Sequence, residues 1–322
     1  MQPNTIILRD DVHTVDDFVN YFTEFINQDK PIFFSRIGGT DFHVVSEYFT
    51  VKDNLNHPGW YNNRIPTLKA YNGYFDFNND INVFHNYLED IIRFYKNSDD
   101  MFYCGDMINK IKKNKLIDSD EAILNYIADG KTIVDYGFIE NVRPFLKSFR
   151  AWGENKKILI ISPLSKSIEH QFKNKDKLYN DYQFPNFELI TYNTKITYNN
   201  SSDNRNTLGV TTNNWNEECL RMSDEIGKID FDIAFLSCAS YSMFLGDFIK
   251  HQMGKKAIYI GGILNVFFNI YGGRYKTYFK ASGLNEEYEI NPFENDDIKN
   301  IKGGRSVGWS ESLNAYFGTR NK

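Results

Sequence analysis

The chain has 322 residues, of which 41% are hydrophobic and 16% aromatic, so it can bury a large core and is not intrinsically disordered. Its 37 Lys and Arg residues against 42 Asp and Glu residues leave a net charge of −5. This balance lacks the basic excess that would point to a nucleic-acid partner.

Six short apolar runs along the chain have the length and residue types of buried strands. Several of them precede stretches in which apolar residues recur every three or four positions, as on one face of a helix. The predicted strands cover residues 32–35, 101–103, 158–161, 189–192, 233–236 and 257–260. This alternation is typical of βαβ units.

The clearest predicted helix begins after Asp80, which can cap it, and extends over residues 81–95. The same spacing of apolar residues predicts helices over residues 215–226 and 241–252. Because parallel strands need such crossover helices, we expect an α/β fold with a Rossmann-like, largely parallel twisted sheet flanked by helices.

We expect one large domain over residues 1–322, with a possible subdivision into 1–150 and 151–322 at a seam near 144–155. In such folds, ligands bind at the carboxyl ends of the parallel strands. The turns that follow the predicted strands are therefore where functional residues are expected.

The first of these turns runs from Ser35 to Asp41, between a predicted strand and a predicted helix. Gly38 and Gly39 let a ligand approach the backbone, the free amides of the helix start attract phosphate, and Arg36 is suited to an anion. Asp41 is a candidate metal ligand, sugar contact or base. The alternative is purely structural: Asp41 caps the helix and Arg36 pairs with a carboxylate.

Three later turns place small or hydroxyl-bearing residues after predicted strands, where they can contact a phosphate, a base or a sugar. Each has a structural alternative as a helix cap, a core residue or a turn glycine. The candidate ligand contacts in these turns are Ser165, Lys166, Ser167, Ser240, Tyr241, Gly261 and Gly262. Cys238 is a poor candidate nucleophile because no His is close to it in sequence.

Two basic residues near the end of the chain complete the candidate binding set. Arg274 follows a second glycine pair, and Arg305 lies in a glycine-rich segment that ends at Trp309. We expect these cations to contact an anionic ligand.

In chain order, the segments RIGGTDF, YNGYF, ILIISPLSKSIEHQ and DFDIAFLSCASYSMFLGDFIKHQMGKKAIYIGGILNVFFNIYGGRY resemble the bacterial glycosyltransferases of polysaccharide biosynthesis that have the GT-D type of fold. The resemblance covers residues 31–309 and is strongest over 230–275. It implies transfer of a hexose from a nucleotide sugar, with a UDP-sugar favoured. The implied acceptor is a glycan, a lipid-linked sugar or a glycoprotein in the synthesis of capsular or surface polysaccharide.

The first motif of that family is roughly R-x-G-D-G-E, and its two carboxylates are proposed to serve a divalent metal. Arg36 and Gly38 match it, and Asp41 takes the place of the glutamate. The resemblance thus implies Mn²⁺ or Mg²⁺ with Asp41 as a ligand, but Gly39 replaces the first carboxylate and halves the implied site. Without metal, Arg36 and other cations must stabilise the leaving diphosphate, and Asp41 is the candidate base.

Several aromatic residues offer faces on which acceptor sugars can pack. These are Trp60, Tyr61, Tyr71, Tyr74 and Trp309. Glu47, Asp76 and Glu140 are less favoured candidates for the base.

Two other functions remain open from the sequence. One is a nucleotide-sugar-binding module that has lost catalysis together with the first acidic position. The other is a different Rossmann enzyme, which is less favoured because no GxGxxG motif follows a strand and no YxxxK pair stands out.

We expect a cytoplasmic protein with at most peripheral membrane association. The first 17 residues lack the apolar core of a signal peptide, and no apolar stretch approaches the roughly 20 residues that a bilayer requires. Cys104, Cys219 and Cys238 are widely separated, which fits a reducing compartment and neither a disulfide framework nor a CxxC zinc site.

Overall fold

The computed structural model describes residues 14–52, 58–103, 117–197, 209–271 and 282–292. Within them, seven strands form one sheet, and every strand pair is parallel. The strands are β1 (Ile32–Ile37), β2 (Met101–Tyr103), β3 (Ile133–Asp135), β4 (Lys157–Ser162), β5 (Glu188–Asn193), β6 (Ile233–Leu236) and β7 (Lys256–Tyr259).

The strand order across the sheet is β3-β2-β1-β7-β6-β4-β5. All six strands predicted from the apolar runs are present, and the expectation of a Rossmann-like α/β sheet is confirmed. The seventh strand, β3, was missed. It is only three residues long and ends in Asp135, so it lacks the apolar run by which the others were recognised.

Helices connect the strands and cover both faces of the sheet. They are α1 (Val15–Asn27), α2 (Gly39–Val51), α3 (Pro58–Tyr71), α4 (Ile81–Asn97), α5 (Asp118–Ile127), α6 (Gly137–Glu140), α7 (Val142–Trp152), α8 (Ser165–Phe172), α9 (Trp215–Ile226), α10 (Tyr241–His251) and α11 (Leu264–Phe267). The side chain of Asp80 caps α4 as expected, since it accepts a hydrogen bond of 2.8 Å from the amide of Asn82.

Two apolar cores lie on opposite faces of the sheet. Helices α2, α4, α5, α9 and α10 bury their apolar faces in one core, and α1, α7, α8 and α11 bury theirs in the other. Where the chain steps from one strand to a strand nearer β3, the connecting helices lie on the face with the first core. Where it steps to a strand nearer β5, they lie on the face with the second core. This is the pattern that right-handed crossovers between parallel strands produce.

The sheet is continuous across the middle of the chain, because β4 and β6 follow residue 150 but join the same sheet as β1. The boundary considered at 150/151 lies inside α7, which packs against α1. Among the described residues, no helix combines the length and apolar character needed to cross a bilayer.

Candidate functional site

The carboxyl ends of β1 and β7 form the centre of the candidate site. These strands are neighbours in the sheet, but the segments that follow them leave on opposite faces. The segment after β1 is α2, which packs in one core, and the segment after β7 leads into α11, which packs in the other. Strand ends whose connections diverge in this way mark the usual place for a ligand in a parallel α/β sheet.

Arg36, near the end of β1, extends its guanidinium over this edge of the sheet. The guanidinium carbon lies 4.3 Å from the ring centre of Tyr136 and 5.6 Å from that of Tyr259, both within the range of cation–π attraction. Gly261 stands next to it, and a Cβ added to Gly261 would collide with Nη1 of Arg36. Gly261 also has a φ of +71°, a conformation that favours glycine.

Hydrogen bonds tie the two tyrosines to neighbouring strand ends. The hydroxyl of Tyr136, which follows β3, donates to the carbonyl of Ile260 after β7 at 2.6 Å. The hydroxyl of Tyr259 donates to the carbonyl of Ala239 after β6 at 3.1 Å. The ends of β3, β1, β7 and β6 are therefore linked around Arg36.

Asp41 lies in the first turn of α2 and is 6% exposed. Burial raises the pKa of its carboxyl; its own amide, the Arg36 guanidinium and the amide of Phe42 oppose that rise by stabilising the ionised form. Asp41 therefore interacts with backbone amides in the first turn of its helix and with Arg36, but it does not cap the helix as the structural alternative expected, because the N-cap residue of α2 is Gly38. A carboxylate whose pKa is raised is the stronger proton acceptor near neutral pH.

The two glycines before Asp41 have different surroundings. A Cβ on Gly38 would overlap the carboxylate of Asp41, so only glycine permits this close approach. A Cβ on Gly39 would meet no atom within 4 Å. The side of α2 on which Gly39 lies is thus open, and backbone there is accessible to a ligand.

The turn after β4 is more distant, since β7 and β6 separate β4 from β1. Ser165 is buried and donates to Oδ1 of Asn193 at 3.1 Å, which links the ends of β4 and β5. Ser167 is fully buried, whereas Lys166 is exposed in the first turn of α8. Of this candidate group, Lys166 is the residue whose side chain faces solvent.

The turn after β6 is buried. The hydroxyl of Ser240 accepts a hydrogen bond of 2.8 Å from the indole of Trp215, and the hydroxyl of Tyr241 lies 3.0 Å from that of Thr197. Both residues are about 2% exposed or less, and their hydrogen bonds join the turn after β6 to α9 and to Thr197 in the segment after β5. Burial raises the pKa of the Cys238 thiol to about 12, which disfavours a nucleophilic thiolate.

The remaining candidates are placed as follows. Gly262 is half-buried in the turn that follows β7. Arg274, Arg305 and Trp309 lie outside the described residues. Tyr71 is 68% exposed and Trp60 is half-buried, whereas Tyr61 and Tyr74 are buried in the core.

The less favoured carboxylates have other partners. Glu47 accepts hydrogen bonds from Arg64 at 2.6 Å and from the indole of Trp60 at 3.2 Å. Asp76 accepts hydrogen bonds from the amides of Asn78 and Asp80. Neither is placed at the end of β1.

The described residues do not provide a protein-held metal centre. No group of three or more His, Cys, Asp or Glu side chains within them is placed to hold a metal ion. At the implied position, Asp41 is buried near a guanidinium, and Gly39 supplies no second carboxylate. At this place Asp41 is the single carboxylate of the implied pair, so the other oxygen ligands of Mn²⁺ or Mg²⁺ would have to come from substrate phosphates and water.

Tyr136 and Tyr259 were missed in the sequence. Tyr259 was assigned to a buried strand, and Tyr136 follows the strand that was not recognised. The position of Tyr136 directly after a strand is at most a weak sequence signal for a functional residue. Its contact with Arg36 joins residues 100 positions apart, which no local sequence pattern indicates.

Comparisons of the chain with models of protein families, with curated proteins and with solved structures give no match.

Proposed function

We propose that this protein is a glycosyltransferase that moves a hexose from a nucleotide sugar, with a UDP-sugar favoured, to a glycan, lipid-linked or glycoprotein acceptor. The observation that carries the proposal is the position of Arg36, whose guanidinium lies between Tyr136 and Gly261 at the carboxyl ends of β1 and β7. The GT-D likeness and a role in surface polysaccharide synthesis belong to the same proposal.

Sugar transfer builds up negative charge on the departing nucleoside diphosphate. A guanidinium donates two parallel hydrogen bonds to a phosphate, and the first amides of α2 add positive potential beside it. Because Gly39 has no side chain and the space beside its Cα is open, this helix start is left uncovered. Arg36 and the amides of α2 therefore stabilise the negative charge of the leaving diphosphate without a metal ion.

The carboxylate of Asp41 is the base of the proposed reaction. In the proposed reaction, the acceptor hydroxyl oxygen bonds to the anomeric carbon, the bond from that carbon to the diphosphate breaks, and the diphosphate departs with the electron pair. The hydroxyl proton passes to the Asp41 carboxylate. Burial, which raises the pKa of Asp41, increases its affinity for that proton.

The test begins with a thermal-shift screen of UDP-, GDP-, CMP- and dTDP-sugars, each with and without Mn²⁺. A ligand that binds the folded state raises the melting temperature. The sugar nucleotide that stabilises the protein is then incubated with it, and release of the free nucleotide is measured with and without acceptor glycans. We expect stabilisation by one nucleotide in the absence of Mn²⁺, followed by turnover.

Two variants sharpen the assay. Asp41→Ala removes the proposed base, and we expect it to lower turnover at least about a hundredfold. Asp224→Ala, an exposed carboxylate on α9, is the matched control and should leave turnover unchanged.

Two results would decide against the proposal. Indifference of the melting temperature to every sugar nucleotide contradicts it. Binding without turnover across donors and acceptors favours the alternative of a non-catalytic nucleotide-sugar-binding module.

A further inference from the structure

We infer that Tyr136 is a positioning residue: its ring holds the guanidinium of Arg36 at the edge of the sheet, ready for the diphosphate of a nucleotide. The inference rests on the proposed function for the identity of the ligand. Its structural part concerns only the order of the Arg36 side chain, and can be tested on the protein alone.

The first support is that the Tyr136 ring is itself fixed. Tyr136 is 1% exposed, and its ring packs against Phe102 with the ring centres 6.0 Å apart. Its hydroxyl donates to the carbonyl of Ile260 at 2.6 Å. A ring that is buried on its flank and bonded at its tip cannot swing away from Arg36 without losing both contacts.

The second support is that the space beside the guanidinium is limited. A Cβ on Gly261 would overlap Nη1 of Arg36, and the same Cβ would lie 3.4 Å from the hydroxyl of Tyr136. Tyr259 adds a second aromatic ring, 5.6 Å from the guanidinium carbon. Arg36 is thus enclosed by Tyr136, Tyr259 and the backbone at Gly261.

The consequence for binding is a lower entropic cost. Ordering a free arginine side chain costs conformational entropy, and a ligand that meets an already ordered guanidinium does not bear that cost. An aromatic face leaves the in-plane N–H groups of a guanidinium able to donate to a planar or tetrahedral anion. Tyr136 therefore acts on ligand affinity through Arg36.

The first experiment uses ligand-free protein. The ¹⁵N relaxation of the Arg36 Nε–H group is measured in the wild type and in the variants Tyr136→Leu and Tyr136→Phe. We expect an ordered Nε–H group in the wild type, clear loss of order in Tyr136→Leu, and retention of most of the order in Tyr136→Phe, which keeps the ring. An Nε–H group equally ordered in Tyr136→Leu and in the wild type overturns the inference.

The second experiment uses UDP as the probe and calorimetry as the measurement. We expect Tyr136→Leu to weaken UDP binding about tenfold in the wild-type background and less than twofold in the Arg36→Ala background. Tyr136→Phe should restore most of the affinity. Equal losses in both backgrounds mean that Tyr136 acts independently of Arg36, and that result also overturns the inference.

A further variant covers the case in which Tyr136→Leu does not fold. Gly261→Ala displaces Arg36 from the other side, and we expect it too to reduce the order of the Nε–H group. If wild-type protein binds none of the sugar nucleotides or UDP, the proposed function fails, and the relaxation measurement still decides whether Tyr136 positions Arg36.

Discussion

The carboxylate of Asp41 lies directly over the backbone of Gly38, in the space that the Cβ of any other residue would take. Gly38 is the N-cap residue of α2, and its carbonyl accepts the amide of Phe42 at 3.1 Å. Its φ of −86° is open to all residues. Glycine is therefore required at this position by contact with Asp41, and not by backbone conformation.

Gly38→Ala should consequently destabilise the protein by about 1–3 kcal/mol, because the methyl group must displace a buried carboxylate. Gly39→Ala is the matched control, since a Cβ there meets open space and alanine favours the helix. Urea unfolding of the two variants measures the difference. Equal stability of Gly38→Ala and Gly39→Ala would contradict this account of Asp41.

Asp41→Asn should change both activity and the pH dependence of stability. Burial raises the pKa of Asp41 above the ordinary value of 3.8, so the folded state holds its proton to a higher pH than the unfolded state. The stability of the wild type therefore falls as the pH rises from the unfolded pKa through the folded pKa, whereas asparagine does not titrate. The variant should gain stability relative to the wild type between pH 4.5 and pH 7.5.

Unfolding by urea at the two pH values measures this gain, and turnover should fall at least about a hundredfold in the same variant. Asp224→Asn, at an exposed site, is the matched control. A difference in stability between Asp41→Asn and wild type that is the same at both pH values argues against a raised pKa.

Much of the sheet could be predicted because its central strands are buried on both faces. Runs such as 158–161 and 233–236 contain no polar residue, and such runs are characteristic of a central parallel strand. Strand β3 lies at the edge of the sheet and has only two apolar residues before Asp135, so it did not stand out, whereas the equally short β2 is apolar throughout.

The candidate site was predictable only in its local part. Arg36, Gly38 and Asp41 stand in one turn, and their spacing was sufficient to place them together. The sequence carries no comparable signal for the contact of Arg36 with Tyr136, which depends on how β1 and β3 are arranged in the sheet. For the same reason, the sequence could not distinguish the buried Tyr241 from residues whose side chains face the candidate site.

Lys131 precedes β3 and so lies at the amino ends of the strands, on the side of the sheet opposite the candidate site. Its titration gives a further prediction. Its ammonium donates to the carbonyls of Tyr95 and Lys96 at the end of α4. Burial, together with nearby Lys250 and Lys96, nevertheless lowers the pKa of Lys131 to about 7, and the carboxylates of Asp99 and Asp100 oppose this shift. The unfolded state therefore binds more protons between pH 7 and the ordinary lysine value of 10.5.

Wild-type stability should rise with pH across this window relative to Lys131→Met, by up to about 1.4 kcal/mol per pH unit above pH 7. Urea unfolding between pH 6.5 and 9.5 measures the slope. Lys228→Met, at an exposed lysine, is the control. Parallel stability curves for wild type and Lys131→Met would show that the pKa of Lys131 is not lowered.

Ala239, in the turn between β6 and α10, has a φ of +54°, in the left-handed region that costs a residue with a Cβ about 1–2 kcal/mol. Its carbonyl accepts the hydroxyl of Tyr259, so the strained turn is part of the same strand-end network as Arg36. Ala239→Gly removes the strain but increases the entropy of the unfolded chain, and the net gain in stability should be at most about 1 kcal/mol. Ala257→Gly, in the extended strand β7, has no such strain to relieve and should destabilise the protein. Thermal unfolding of both variants measures the contrast, and a loss of stability in Ala239→Gly as large as that in Ala257→Gly would mean that the turn stores no strain.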